Sequence, residues 1–279
     1  MTHEEQGSPS QSGLWRSTEE AERWQQGVER RRHDFAEATR RMLEAAGLKP
    51  GDHVLDIAAG TGDQSLLAAR IVGPSGSILA TDISADMLAI ATRVVQQEGV
   101  TTITTRVMDA QQLELEDNTF DAVICRLGLM LVPHPQQALS EIHRVLKPGS
   151  KLAALVWSSP EHNPLWSLPL GILSKYASAA ASPGPNPFVL SDPSVFERDL
   201  TEAGFHTVST QAVPFESHYT SSEAFLSSTG SRLIAGVVGQ LALQEQEQLL
   251  EEMRQALSQF EGPQGVMAPA ELLLGVGSK

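Results

Sequence analysis

Three acidic residues stand at the ends of short apolar stretches of this sequence: Asp56, Asp82 and Asp109. These stretches have the branched side chains typical of strands in a parallel sheet, whose carboxyl ends meet along one edge. We therefore expect the three carboxylates to line one crevice. A carboxylate there can accept hydrogen bonds from both hydroxyls of a ribose or from the exocyclic amine of a base, and it attracts an ammonium group. Alone, each acid is more often a solvated loop residue or a helix cap, but together they predict a site for a cationic nucleoside.

The residues at 58–62, Ala-Ala-Gly-Thr-Gly, predict a tight turn between a strand at 54–57 and a helix that begins at Asp63. Glycine lets the backbone turn sharply and approach a ligand closely. A strand, a glycine turn and a helix N-terminus form a nucleotide-binding corner in open α/β sheets. Ser65 occupies the position of the third glycine of the dinucleotide fingerprint, which disfavours an NAD-dependent oxidoreductase. A turn that merely starts a helix is the alternative interpretation.

Predicted strands alternate with predicted helices over much of the chain, which is typical of right-handed βαβ units in a doubly wound α/β sheet. We predict strands at 54–57, 77–81, 101–107, 120–125, 151–157, 205–215 and 270–276, the last folding back antiparallel beside its predecessor. Helices are predicted after the first and second strands, at 17–46, 135–146, 165–177 and 193–203, and over most of 221–260, with a turn at 147–149. The sequence shows no internal repeat and no metal-ligand cluster.

The composition limits the classes of function. The chain has 279 residues, a hydrophobic share of 41% and a net charge of −14. This length supports one well-buried core, or one core with a cap, and the acidic balance argues against nucleic acid or an anionic membrane as partner. The single cysteine, Cys125, excludes an internal disulfide, and its apolar neighbours favour a core residue over a nucleophile. Because no apolar stretch approaches the roughly 20 residues of a membrane helix, we expect a cytoplasmic protein.

Four motifs resemble those of class I S-adenosylmethionine-dependent methyltransferases. They are Asp-Ile-Ala-Ala-Gly-Thr-Gly at 56–62, Thr-Asp-Ile-Ser at 81–84, Met-Asp-Ala at 108–110 and Arg-Val-Leu-Lys-Pro-Gly at 144–149. The similarity is greatest to the branch of ubiquinone/menaquinone-biosynthesis and small-molecule methyltransferases, and it covers 48–157 well. It implies S-adenosylmethionine as cofactor and a Rossmann-like methyltransferase fold, with a mostly parallel sheet of seven strands and an antiparallel final hairpin.

We interpret the chain as a single methyltransferase domain with four parts. They are a flexible tail at 1–13, a helical lid at 14–47, a cofactor-binding core at 48–157, and cap helices with the final strands at 158–279. Trp15, Trp24 and Phe35 are scattered along the charged N-terminal helical segment. Either these aromatic residues pin an exposed helix to the core, or the segment is a lid over the ligand.

The resemblance assigns the cofactor site to residues at and after the strand ends. They are Asp56, Ala58, Gly60, Thr61, Gly62, Gln64, Asp82, Ile83, Met87, Asp109, Ala110, Arg126 and Leu127. Asp56 and the glycine turn would hold the methionine part, Asp82 the ribose hydroxyls, and Asp109 the edge of the adenine. Because the sulfonium charge disappears during transfer, carboxylates at the distant ends of the cofactor anchor it without stabilising that charge. Arg126 and Leu127 would lie beside the methyl group and the acceptor.

The acceptor side carries a weaker signal. The stretch Gly-Leu-Met-Leu-Val at 128–132 is wholly apolar, where some O-methyltransferases of this type carry histidines. It disfavours imidazole-assisted O-methylation and favours an apolar acceptor or an intrinsically good nucleophile. The catalytic candidates are His134, His162 and Arg126, and the acceptor-binding candidates are Trp15, Met130, Leu131, Trp157, His162 and Trp166. Surface positions for the two histidines and core packing for the apolar residues are the alternatives.

We therefore expect methyl transfer to a small apolar or aromatic metabolite by in-line displacement, with positioning and desolvation supplying most of the catalysis. Two alternatives stay open. One is an enzyme of the same fold that catalyses a cyclisation or rearrangement, and the other is a non-catalytic, cofactor-binding partner subunit. The expected partners are a small-molecule acceptor and a second copy of the chain in a homodimer, without nucleic acid, membrane span or metal.

Overall fold

The computed structural model describes residues 17–176, 186–228, 238 and 241–279. The predicted tail at 1–13 and Trp15 lie outside these residues. The strands are β1 (His53–Ile57), β2 (Ser77–Asp82), β3 (Ile103–Val107), β4 (Phe120–Arg126), β5 (Leu146–Trp157), β6 (His206–Tyr219), β7 (Glu261–Gly262) and β8 (Gly265–Ser278). They form one sheet in the order β3-β2-β1-β4-β5-β8-β6, with β7 paired to β8. The first five strands run parallel and β8 runs antiparallel to β5 and β6, which confirms the predicted fold class.

Helices precede the sheet, connect its strands and cover its C-terminal end. They are α1 (Thr18–Gln26), α2 (Val28–Asp34), α3 (Ala36–Ala46), α4 (Asp63–Val72), α5 (Ala85–Gln97), α6 (Pro135–Val145), α7 (Pro164–Tyr176), α8 (Pro193–Glu202), α9 (Ser222–Leu226) and α10 (Leu243–Leu257). Short 3₁₀ helices lie at Leu129–Leu131, Pro160–His162 and Ser258–Phe260. No helix in the described ranges is long and apolar enough to cross a membrane.

The central strand β1 explains where a ligand can bind. Successive residues of a strand point to opposite faces, and Val54, Leu55 and Ile57 are all buried, so both faces of β1 are covered. β1 pairs with β2 on one side and with β4 on the other. The chain therefore leaves β1 in one direction and returns to build the sheet in the opposite direction. Such a switch point leaves a crevice at the carboxyl ends of the strands.

The N-terminal helical segment is divided into three helices rather than one. Gly27 ends α1, and Phe35, with φ −96° and ψ 8°, separates α2 from α3. Glycine is a poor helix former, which accounts for the first break. At the second break Phe35 is buried and its ring packs edge-on against Trp157 and Phe215, at centroid distances of 6.0 and 5.3 Å. Packing against the core thus redirects the chain there.

The prediction of a separate turn at 147–149 is wrong. These residues belong to β5, whose pairing with β4 shifts register between Phe120 and Ala122. Gly149 has a φ of 80°, and its N–H donates to the carbonyl of Lys279 at 2.7 Å. The residues that would form a turn therefore bulge out of the strand, and the C-terminus of the chain satisfies their backbone.

The C-terminal strands form a long antiparallel pair that carries the cap. β6 and β8 pair from His206↔Ser278 to Tyr219↔Val266, beyond the edge of the parallel strands. A second hydrophobic cluster packs on this extension, with α7, α9 and α10 contributing Leu165, Phe225 and Leu249. The antiparallel final strand is confirmed, and both strands are longer than the sequence predicted. The C-terminal helices therefore rest on a sheet extension and form a second core there, and their role as a cap stays a prediction.

Candidate functional site

A cavity of about 290 Å³ lies at the carboxyl ends of the central strands, at the switch point of the sheet. Most of the predicted cofactor residues line it: Ala58, Gly60, Asp82, Ile83, Met87, Asp109, Ala110, Arg126 and Leu127. The predicted acceptor residue Leu131 lines it as well. Glycine, carboxylate and apolar side chains thus converge on one space, as the spacing along the sequence indicates.

Asp82 ends β2 and has its carboxylate fixed by the backbone. Oδ2 accepts the N–H of Gly60 at 2.9 Å and Oδ1 accepts the N–H of Ser84 at 2.9 Å. Burial raises the pKa of Asp82, against these N–H groups, which lower it. A carboxylate oxygen has two acceptor positions, so both oxygens retain capacity for a further donor. The arrangement suits two neighbouring hydroxyl groups.

Asp109 follows β3 and is held by Gln111, a cavity residue that the sequence analysis missed. The backbone N–H of Gln111 donates to Asp109 Oδ1 at 2.8 Å, and its side-chain amide donates to the same oxygen at 3.1 Å. The Oε1 of Gln111 accepts the backbone N–H of His134 at 2.9 Å. Asp109 and Gln111 therefore form one polar edge of the cavity. A sequence signal existed, since Gln111 lies two residues beyond a strand-end acid.

Asp56 does not line the cavity, and this corrects the expectation that three carboxylates share one crevice. Its side chain is fully buried, and it accepts hydrogen bonds from Gln64 Nε2 on Oδ1 and from Ser65 Oγ on Oδ2. Burial raises the pKa of Asp56 to about 7, against these two hydrogen bonds. Asp56, together with the predicted cofactor residue Gln64, ties β1 to the first turn of α4. Its contribution to a ligand is therefore through the shape of the turn.

The glycines at and near the turn allow other parts of the protein to pack where a side chain would stand. Gly60 has a φ of 57°, and a Cβ added to it would lie 3.2 Å from Nε1 of Trp24. A Cβ on Gly128, after β4, would overlap the Cβ of Ala58. Thr61 in the turn is buried, and its Oγ1 has no hydrogen-bond partner among the described residues. Thr61 does not line the cavity itself, but its orphaned hydroxyl follows Gly60, which does, and this fits a polar ligand tail at the turn. Gly62, with a φ of 84°, starts α4 behind the turn.

Arg126 ends β4 and is held from two helices. Its Nη2 donates to Asp63 Oδ2 in an ion pair whose side chains are 5% and 3% exposed, and its Nη1 donates to Thr39 Oγ1 at 2.9 Å. Burial alone raises the pKa of Asp63, but the charge and hydrogen bond of Arg126 outweigh burial and lower it. A guanidinium does not give up its proton at neutral pH. Arg126 can therefore bind or orient a group, but it is unsuited to act as a base.

Trp24 and Phe35 of the N-terminal segment lie in different places, and the role of the segment as a lid stays a prediction. Trp24 on α1 lines the cavity beside the glycine turn. Its helix packs on α5, where Ala21 meets Met87 and Ile90. Phe35 is buried among the aromatic residues of the core instead. Trp24 was noted in the sequence but was not assigned to the site, because a tryptophan on a charged helix does not reveal which surface it covers.

The remaining acceptor and catalytic candidates lie away from this cavity. Met130 is buried in the main core, and Trp157 and Trp166 pack against each other with ring centroids 5.7 Å apart. His162 is exposed, and its Nδ1 lies 2.8 Å from Glu271 Oε1. His134 is exposed at the start of α6 and reaches the site only through its backbone N–H. Their roles in acceptor binding and catalysis stay predictions.

Fold and cavity together define a doubly wound α/β protein with a cavity at the carboxyl edge of its parallel strands. Residues 31–176 match the model of the ubiE/COQ5 methyltransferase family, more than half of the chain, so the chain belongs to that family. Membership confirms the resemblance drawn from the four sequence motifs. In the part of the chain that the structure describes, no group of three or more histidine, cysteine or acidic residues could hold a metal ion.

The relatives agree with the family and match less than half of the chain. The ubiquinone/menaquinone biosynthesis C-methyltransferase UbiE of Cellvibrio japonicus is 44% identical over 126 residues, which are 45% of this chain and 50% of that protein. The UbiE of Pseudomonas aeruginosa strain LESB58 is 40% identical over 122 residues, 43% of this chain and 48% of that protein. The chain thus matches only about half the length of these relatives.

Among solved structures, the YcgJ protein from Bacillus shares the fold with a TM-score of 0.60 at 19% identity, over 88% of this chain and 98% of that one. The [4+2]-cyclase SpnF shares it with a TM-score of 0.53 at 21% identity, over 87% of this chain and 80% of that one. At such identities the likeness concerns the fold alone, and the fold hosts more than one chemistry.

Proposed function

We propose that this chain binds S-adenosylmethionine in the cavity and transfers its methyl group to a small-molecule acceptor. The observation that carries the proposal is the Asp82 carboxylate, fixed by two backbone N–H groups in a cavity bounded by the glycine turn. Membership in the ubiE/COQ5 methyltransferase family supports the same reaction class.

In this proposal each end of the cavity has its own task. Asp82 binds the ribose hydroxyls, while Asp109 and Gln111 bind the edge of the adenine and Met87 packs against it. The cofactor supplies an electrophilic methyl group on a sulfonium ion. Trp24 and the glycine turn enclose the other end and exclude water, which strengthens the electrostatic interactions there. The residues that bind thus also orient, and orientation supplies much of the rate.

The wall after β4 favours an apolar or aromatic acceptor. It consists of Leu127, Leu129, Leu131, Val132 and Pro133. Within the described part of the chain, no histidine, lysine, cysteine or tyrosine lines the cavity. Two of its acids, Asp82 and Asp109, already accept hydrogen bonds from the protein. We therefore propose an acceptor whose reacting atom is nucleophilic without a strong base, and the C-methyltransferase relatives make an activated carbon the first atom to test.

A transfer assay tests this proposal. Wild-type protein and the variants Asp82→Asn and Asp86→Asn are incubated with methyl-labelled S-adenosylmethionine and a panel of small aromatic and quinol acceptors. We expect labelled product and an equal amount of S-adenosylhomocysteine with wild type and with the Asp86→Asn control, and much less with Asp82→Asn. A labelled product that forms equally well with Asp82→Asn contradicts the assigned site.

The same assay separates the two alternatives. A cyclase or rearranging enzyme would convert its substrate without forming S-adenosylhomocysteine, and a non-catalytic subunit would bind the cofactor and turn over nothing. The family does not favour either alternative, and the SpnF likeness carries the fold only. Equal amounts of methylated product and S-adenosylhomocysteine would decide against both.

We also propose a domain organisation, a cellular location and an oligomeric state for the enzyme. The single-domain division, with 14–47 as a helical lid and the C-terminal helices as a cap, is supported by Trp24 at the cavity and by the second core cluster. The net charge of −14 supports a small-molecule acceptor over nucleic acid. A cytoplasmic location and a homodimer complete the proposal, and gel filtration with light scattering tests the latter.

A further inference from the structure

Arg31 on α2 is a buried cation that the proposed function does not use. Arg31 is only 3% exposed, and its Nε and Nη2 atoms are buried without a hydrogen-bond partner among the described residues. Burial lowers the pKa of Arg31 to about 9, against the charge of Asp63, which raises it. A buried guanidinium with unpaired N–H groups is costly, so such a group is normally retained for a partner.

Arg31 does not itself line the cavity, but it lies directly behind a residue that does. Its guanidinium lies over the ring of Trp24, 3.8 Å from the ring centroid, and Trp24 lines the cavity. The charges of Asp63 and Arg126 both act on it. Arg126 lines the same cavity and already occupies Asp63 in a buried ion pair. Two buried guanidinium groups therefore lie near one buried carboxylate, Asp63, and the ion pair of that carboxylate is with Arg126.

The arginines beside Arg31 in the sequence have partners of their own. Arg30 binds Asp34 at 2.9 Å and lies over the ring of Tyr219 at 4.1 Å from its centroid. Arg32 binds Glu29 at 2.8 Å, and its side chain is 39% exposed. Arg31 thus differs from both neighbours in burial and in its unpaired donors, which points to a ligand rather than to a general feature of the helix.

We propose that Arg31 binds a ligand carboxylate at the end of the cavity bounded by Trp24 and Arg126. A guanidinium offers paired N–H donors that match the two oxygens of a carboxylate. This inference rests on the proposed function for the source of that group, which is either the methionine carboxylate of the cofactor or an acidic group of the acceptor. Asp82 and Asp109, the acids at the other end of the cavity, disfavour a carboxylate there by repulsion.

Calorimetry on the full chain tests the proposal. Wild type, Arg31→Met and the control Arg32→Met are titrated with S-adenosylhomocysteine and with methylthioadenosine, which lacks the amino-acid part. Benzoate and uncharged benzamide are titrated with and without saturating S-adenosylhomocysteine. If the cofactor is the source, Arg31→Met weakens S-adenosylhomocysteine binding at least about tenfold and leaves methylthioadenosine within about twofold. If the acceptor is the source, Arg31→Met removes benzoate binding and spares S-adenosylhomocysteine. Arg32→Met changes neither.

Other outcomes overturn the proposal. Unchanged binding of every ligand by Arg31→Met would do so, and so would an equal loss of the charged and uncharged member of each pair, which marks a packing role. Arg31→Lys, which keeps the charge, is expected to retain part of the lost affinity even if the methionine variant folds poorly. Wild type that binds no S-adenosylhomocysteine would refute the proposed function. Wild type and Arg31→Met that bind S-adenosylhomocysteine equally well, and neither of which binds benzoate, would refute this inference alone.

Discussion

Asp82 shows how one side chain can be prepared for a ligand by the backbone around it. Both oxygens already accept an N–H group, from Gly60 and from Ser84, so the carboxylate cannot rotate freely. In Asp82→Asn, the amide nitrogen would face one of these N–H donors and leave it unpaired. We expect S-adenosylhomocysteine affinity to fall at least about tenfold, close to 1.4 kcal/mol, by calorimetry. Affinity within twofold of wild type would contradict the role of Asp82.

We expect the free energy of unfolding to depend on pH through Asp56. Burial raises its pKa to about 7, so the folded protein holds this proton more tightly than the unfolded chain, where an aspartate titrates near 3.9. The contribution to stability is therefore complete below about pH 4 and is lost as the pH rises toward 7. Asp56→Asn, which stays neutral, should lack this decline in the free energy of unfolding. Urea unfolding of both proteins between pH 4 and 8 measures it, and parallel pH profiles would contradict the assignment.

At the scale of elements, the N-terminal segment separates binding from stability. Trp24 on α1 lines the cavity, whereas Phe35 between α2 and α3 packs in the aromatic core. Trp24→Ala should weaken S-adenosylhomocysteine binding with little loss of stability. Phe35→Ala should cost about 3–5 kcal/mol of unfolding free energy and leave the affinity of the folded protein close to wild type. Denaturant unfolding and calorimetry on both variants test the division, and the reverse pattern would show that α1 is no lid.

The end of β4 packs tightly against the glycine turn, which limits the side chains that position 128 can carry. A Cβ at Gly128 would overlap Ala58, which lines the cavity, and would lie 2.9 Å from Sγ of the buried Cys125. We expect Gly128→Ala to destabilise the protein by about 1–3 kcal/mol, because the strand end must shift. Gly171→Ala on α7 is the matched control, since nothing lies within 4 Å of its added Cβ and alanine favours a helix. Equal melting temperatures for the two variants would show that the junction is not tight.

For the whole molecule, sequence periodicity was enough to locate the parallel sheet and the edge of the sheet that carries the cavity. The acids that close β2 and β3 were predicted at the cavity and line it. Asp56 was not predictable in the same way, because the side-chain alternation of a strand decides which face it takes, and its partners Gln64 and Ser65 follow only from the folded turn. The irregular start of β5 depends on Lys279, far away in the sequence.

Residues that reach the cavity from outside the sheet were the hardest to predict. Trp24 lines the cavity from a helix that precedes the first strand, and its position depends on how that helix packs on α5. The neighbouring Arg31 stacks on the Trp24 ring from the next helix. The long pairing of β6 with β8 likewise joins segments separated by the cap. Local patterns determine elements, while such contacts depend on tertiary packing. The acceptor side of the site depends on such tertiary contacts. Its residues were therefore the least predictable from the sequence.

The central claim is that the cavity at the carboxyl edge of the parallel strands is a cofactor site. Calorimetric titration of the wild-type chain with S-adenosylhomocysteine tests it most directly. We expect saturable binding with one ligand per chain, and competition by S-adenosylmethionine for the same site. No heat of binding with ligand at millimolar concentration, or saturable binding that Asp82→Asn and Trp24→Ala leave unchanged, would contradict it.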